Sequence, residues 1–232
     1  MAEEHLQEKF EISEAAVQLY IEHDGDFSIQ QLAHALEIEA EHIYDLFPNK
    51  KSILLFFYTA IVYRYRGMID EIDGFESYTL SEKLSNFMFT SLDIMNEHRE
   101  FVKQTFDTLI GDIFQTSPFE KEVQLLFKDF FMEDASVSVS SAFIARDYFF
   151  SFLKSQYLFL VRYWIKDESA DSERTIALID KFASFIEEAM YNKVLDKGFD
   201  LAKYSLSTAE IAKDIPIIGD IIASIFKENK SE

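Results

Sequence analysis

Cysteine is absent from this chain of 232 residues, which excludes disulfides, thiolate metal sites and cysteine nucleophiles and fits a reducing compartment. Six glycines and three prolines leave little punctuation for tight turns, and apolar residues recur every three or four positions over long stretches, so an all-α chain with short loops is expected. Long apolar runs are missing too. The longest, Ile53 to Tyr63, is too short to span a bilayer, and the opening MAEEHLQEKF has neither the basic nor the apolar region of a signal peptide. A cytoplasmic protein without stable membrane insertion is expected. No phosphate-binding glycine loop, dinucleotide fingerprint or G-x-S-x-G elbow occurs, and the five histidines form no spaced ligand set, so neither enzyme activity, cofactor nor metal is expected. The scarcest feature is local. Residues 1–49 carry twelve acidic side chains and one lysine, Lys9, a formal balance of −11 within a chain of net charge −20.

What is present is most informative from Phe27 to Leu54, FSIQQLAHALEIEAEHIYDLFPNKKSIL. Ser28 followed by Gln31 reads as a capping box opening a helix, because hydroxyl and amide satisfy each other's backbone donors. Ile29, Leu32, Ala33 and Leu36 form its apolar stripe, and a break at Glu37-Ile38 leads to a second short helix whose Ile43, Tyr44 and Phe47 can pack back on the first. Pro48 ends that helix, and Asn49 is a suitable cap for a third, long one beginning at Lys50.

Ala15, Ala16 and Leu19 on a preceding helix, Gly25 and Phe27-Ser28 before the second, Leu32-Ala33 within it, and Tyr44, Phe47, Lys50 and Leu54 in the pattern Y-x-x-F-x-x-K-x-x-x-L resemble the DNA-binding domain of TetR transcriptional regulators. The resemblance covers about residues 8–56. It implies an N-terminal helix-turn-helix domain, placed at 1–52, and a helical ligand-binding and dimerisation domain, placed at 53–232. It also implies a homodimer through the last two long helices and a small hydrophobic effector bound in the second domain. Two departures stand out. Glu37 occupies the position where the family usually has a turn glycine, which requires a left-handed backbone or a changed turn. Glu39 and Glu41 open the recognition helix, where small, polar or basic residues are usual.

Affinity for DNA comes largely from cations that neutralise phosphates. The residues placed to touch a duplex are His42 and Tyr44 on the recognition helix and Lys50 and Lys51 at the next helix N-terminus, where backbone N–H groups add their own attraction for phosphate. Arg64 and Arg66 are the next nearest cations. Lys50 and Lys51 read equally well as solvated first-turn residues. Weak duplex binding is therefore expected, and a chain that has lost DNA binding and serves as a lipid-binding, small-ligand or protein-interaction module is the alternative.

The middle of the chain is dense in large apolar side chains, and Phe87, Phe101, Phe106, Phe127 and Phe131 are candidates to line an effector pocket, or else to fill a core. From Ser141 to Lys166 and from Ser172 to Met190, apolar residues occupy more than one helix face. A two-fold partner would cover the surplus, with Phe149, Tyr157, Trp164, Leu178 and Phe185 as the expected interface. The serine-rich stretch 136–141 is expected to be a cap or loop. The isoleucine-rich segment 206–226 is expected to pack on the second domain, with a membrane surface or partner groove as alternatives.

Overall fold

The computed structural model describes residues 2–111, 116–133 and 147–191, so the stretch 136–141 and the segment 206–226 lie outside the described residues. Among those described, the chain forms nine α-helices and two 3₁₀ turns, with no strand. Three helices make the head: α1 (Ala2–Glu22), α2 (Ile29–Ala35) and α3 (Ala40–Leu46). α4 (Lys50–Asp70) leaves it, and α5 (Leu80–Glu97), α6 (Arg99–Ile110), α7 (Pro118–Glu133), α8 (Asp147–Ile165) and α9 (Glu173–Tyr191) form the larger part.

The helix starts follow local chemistry. Asn49 and Ser52 close a capping box at α4, and Thr79 and Glu82 close another at α5. At α7, Ser117 and Glu120 exchange the same kind of bonds, the Ser117 N–H reaching Glu120 Oε2 at 2.8 Å. Asp167 organises the entry to α9. Its carboxylate accepts from the backbone and hydroxyl of both Ser169 and Thr175 at 2.6–3.0 Å, and those four donors hold it well below the usual carboxylate range.

α4 decides how head and body relate. Its 21 residues span about 31 Å and run without interruption from the turn after α3 into the core. The domain boundary expected at 52/53 falls in the first turn of this helix. α1 packs along it, with Ser13 Oγ donating to Ile53 O at 3.0 Å, and further along α4 packs on α7. α9 lies on α5, and α8 on α7.

The interior is built mainly of rings. Phe57, Tyr58 and Phe101 meet within 6.0 Å, Tyr65 touches Phe87 at 5.0 Å, and Phe87 touches Phe127 at 5.6 Å and Tyr157 at 5.1 Å. Two buried phenols are satisfied inside this block. Thr105 gives its hydroxyl proton to Phe101 O, so Tyr58 donates to Thr105 Oγ1 at 2.7 Å, and Tyr157 donates to Ser91 Oγ at 2.9 Å. Burial pushes both phenols up, so they are neutral hydroxyls with a purely structural role.

Candidate functional site

The head has the expected local geometry. Ser28 Oγ accepts from the Gln31 N–H at 3.2 Å while Gln31 Oε1 accepts from the Ser28 N–H at 2.7 Å. The turn after α2 is made by Glu37 in the left-handed region, φ 55°, so of the two expected alternatives the left-handed backbone is adopted, by a residue that is strained in it. α3 begins after Glu39, whose side chain makes no cap bond. Ile43 and Phe47 are buried against the head's core, while Tyr44 is half exposed and Glu39, Glu41 and Asp45 face solvent. The chemistry exposed along α3 and its cap is therefore one phenol and three carboxylates, with His42 beside them.

The cations near this face are mostly committed elsewhere. Lys50 Nζ donates to Gly25 O at 2.9 Å and Phe27 O at 2.8 Å and sits 4.2 Å from the centre of the Phe27 ring. The sequence left Lys50 either at a phosphate or in solvent. In the structure its ammonium closes the loop between α1 and α2 instead, because two carbonyls and an aromatic face are within reach of an otherwise undercompensated charge. Arg64 pairs with Glu14 at 3.3 Å, and Arg66 with Asp129 at 2.7 Å. Lys51 is exposed and remains available. His42 points its Nε2 toward Glu8 Oε2 at 3.6 Å. His42 thus lies against Glu8 early in α1 and the Lys50 ammonium against the loop beyond its end, so the expected contact residues do not make one basic surface.

Head and body are joined by a polar contact that the sequence did not reveal. Glu14 on α1 accepts from His98 Nε2 through one oxygen and from Arg64 through the other. His98 is buried between α5 and α6, with its ring edge on Phe57. The bond from His98, and then the positive charge His98 and Arg64 bring, hold the Glu14 carboxyl below its ordinary value, against the opposing effect of burial. The pairing joins residues 84 positions apart, so no local pattern could announce it.

The five candidate pocket residues pack into the core. Phe87, Phe101 and Phe127 are fully buried, and Phe106 and Phe131 nearly so, each with neighbouring rings where a ligand would have to stand. Open space occurs nearby. A cleft of about 300 Å³ lies between the end of α4, the 3₁₀ turn 75–77 and α7, floored by Phe75, Leu126 and Phe130 and rimmed by Arg66, Glu76 and Asp129. Phe130 stands 6.3 Å from Tyr65, which touches Phe87, so the cleft is separated from the aromatic block by one ring.

On α8 the expected interface residues face the wrong way. Phe149, Tyr157 and Trp164 are buried in their own subunit, Phe149 on Phe131, Tyr157 bonded to Ser91, and Trp164 under the Arg99 guanidinium at 4.5 Å. The outward apolar face belongs to Phe152, Phe159 and Tyr163, at helical spacing on the other side. On α9 the two expected residues reach the surface. Leu178 is half buried and Phe185, seven residues on, is 63% exposed. An apolar helix surface of this kind on a protein of net charge −20 is a surface awaiting cover.

Comparison with known proteins supplies the family. Residues 83–204, just over half of the chain, match the model of the tetracyclin repressor-like C-terminal domain. The chain belongs to the TetR family. Its fold is shared by the TetR transcriptional regulator of Nitrosomonas europaea, with a TM-score of 0.59 and 19% identity over 77% of this chain and 97% of that one. No curated protein matches the sequence. As a TetR-family chain, this one has the all-helical architecture expected of it. No helix among the described residues is long and apolar enough to cross a membrane.

Proposed function

We propose that this TetR-family protein is a dimeric, cytoplasmic transcriptional regulator that binds duplex DNA weakly at neutral pH and responds to a small hydrophobic effector. The observation that carries the reading is the pairing of a capped helix-turn-helix head with the family's C-terminal domain on one continuous helix. Two-fold pairing through Phe152, Phe159, Leu178 and Phe185 would cover the apolar surface of α8 and α9 and present two heads to one duplex. The effector parts the rings around Phe87 and Phe127, approaching through the cleft beside Phe130. Displacing those rings changes the seat of α4 and with it the spacing of the heads.

A second reading is favoured by one observation. Lys50, Arg64 and Arg66 are bonded to protein, which leaves Lys51 as the exposed lysine at the head of α4. A chain of this kind would serve as a ligand-binding or protein-interaction module without an operator. Selection of duplexes from a random library on the full-length protein separates the two. In the regulator reading a duplex is enriched and binds with about two to four phosphate contacts per dimer, hence a shallow salt dependence. Replacing Glu39 with Ser and Glu41 with Lys tightens it. Failure to enrich any duplex, with the dimer intact by sedimentation, leaves the module reading standing.

A further inference from the structure

Histidine is concentrated where lysine and arginine are missing. His5, His23, His34 and His42 all fall in the first 49 residues, beside the single Lys9. The structure gathers two of them on one carboxylate. His5 Nδ1 lies 3.4 Å and His42 Nε2 lies 3.6 Å from the same oxygen, Glu8 Oε2. That oxygen is shut away from solvent and accepts no hydrogen bond. Two ring nitrogens thus stand within ion-pair reach of one unsatisfied acceptor, at distances longer than a good hydrogen bond.

Most of the charged groups around His42 are acidic. α1 contributes Glu8 and His5, while Lys9 is turned over the Phe47 ring at 5.6 Å. α3 itself carries Glu39, Glu41 and Asp45, α2 offers only the exposed His34, and the turn between them adds Glu37. Neutral imidazoles leave this end of the head strongly negative. Protonation of all four histidines shifts the formal balance of residues 1–49 from −11 to −7. His42 on α3 and His5 on the same carboxylate bring part of that change to the recognition helix itself.

We propose that duplex binding by this head is proton-coupled, with Glu8, His5 and His42 as the switch and protonated imidazoles as the cations the head otherwise lacks. The inference rests on the regulator reading above. Imidazole changes its charge between about pH 5 and 8, within the range a cell experiences. Above that range Glu8 is an uncompensated carboxylate beside α3. Below it, His42 and His5 pair with Glu8, the carboxylate that α1 sets beside His42 is neutralised, and one positive charge is left over. A phosphate favours the protonated form, so the complex takes up protons and affinity falls as pH rises.

The test uses the full-length protein and the best duplex from random-library selections run separately at pH 5.5 and pH 7.5, titrated by fluorescence anisotropy at constant ionic strength. Affinity is expected to be about tenfold or more tighter at pH 5.5, corresponding to an average uptake of about half a proton or more per complex over that two-unit interval. His42→Gln is expected to lose most of the gain on acidification, read as the ratio of its affinities at the two pH values. Glu8→Gln, a second variant that keeps the shape of α1, is expected to raise the pH 7.5 affinity and flatten the profile. Equal binding at the two pH values, or an undiminished pH gradient in both variants, overturns the proton coupling and leaves the regulator reading intact. No enriched duplex at either pH overturns both.

Discussion

The head and the body of this protein are made to different specifications. In the body, rings pack on rings, and the buried phenols of Tyr58 and Tyr157 are each matched to a partner. In the head, a small core of Ile12, Ala16, Leu32, Ala33 and Ile43 supports a surface of carboxylates and imidazoles. The body therefore constrains its sequence mainly through volume, and the head mainly through backbone geometry. A capping box, a left-handed turn and a lysine closing a loop are enough to hold three short helices, which leaves the exposed charges free to take almost any sign.

The contrast is broken most severely at Phe101. This fully buried ring contacts Tyr20 of α1 as well as Phe57 and Tyr58, so Phe101→Ala is expected to destabilise the fold by about 3–5 kcal/mol in urea denaturation. Tyr44→Ala, at a half-exposed head position, is expected to change stability by no more than about 0.5 kcal/mol. If the two substitutions cost the same, the division between volume and geometry fails.

Next in size is the apolar surface of α8 and α9. Phe185→Glu is expected to yield a folded monomer, with sedimentation reporting the loss of the dimer and circular dichroism an unchanged helix content. Phe149→Glu, one helix away and buried, is expected to unfold the chain. A wild-type chain that sediments as a monomer at micromolar concentration removes the interface altogether.

Glu14 sharpens the comparison at the seam. Its carboxyl is held below the ordinary glutamate value of 4.5 in the folded state, so the contribution of its contacts to stability is present above that pH and is lost as pH falls through the lower folded value. The effect is modest, because the side chain is about a third exposed and solvent screens it. Stability of the wild type is expected to fall faster than that of Glu14→Gln on acidification below pH 4.5, measured by urea midpoints across pH. Parallel acid limbs would show that the seam carries no charge-dependent stability.

The smallest expected effect is a gain. Glu37 occupies a left-handed backbone, so Glu37→Gly should stabilise the head by about 1 kcal/mol or less while removing one negative charge. A loss of thermal stability would mean that the glutamate side chain makes up for its backbone.

Much of this architecture was legible in the sequence because it is local. The capping residues Ser28 and Gln31, the cap Asn49 and the start of α4 at Lys50 fall where the pattern put them, and the breaks at Gly74 and His98 separate real elements. The phase of α8 was not legible. A helix apolar around most of its circumference gives no periodic signal for which stripe faces inward, so Tyr157 and Trp164 were placed outside and Phe152 and Phe159 passed over. The same limit applies to Phe87 and its neighbours, since helical spacing is identical for a residue in a filled core and one beside a cavity. The fate of the cations was hidden for another reason. The partners of Lys50, Arg64 and Arg66 are between 23 and 63 residues away, beyond any spacing rule.

The uninterrupted α4 has an evolutionary corollary. With no linker between them, the head is also the roof over Ile53, Leu54 and Phe57, and the signature positions Phe47, Lys50 and Leu54 are buried in or fastened to that roof. Selection on solubility alone would then preserve the outline of a DNA reader through any change of trade, and such a scaffold could be re-employed many times without ever discarding its first turns.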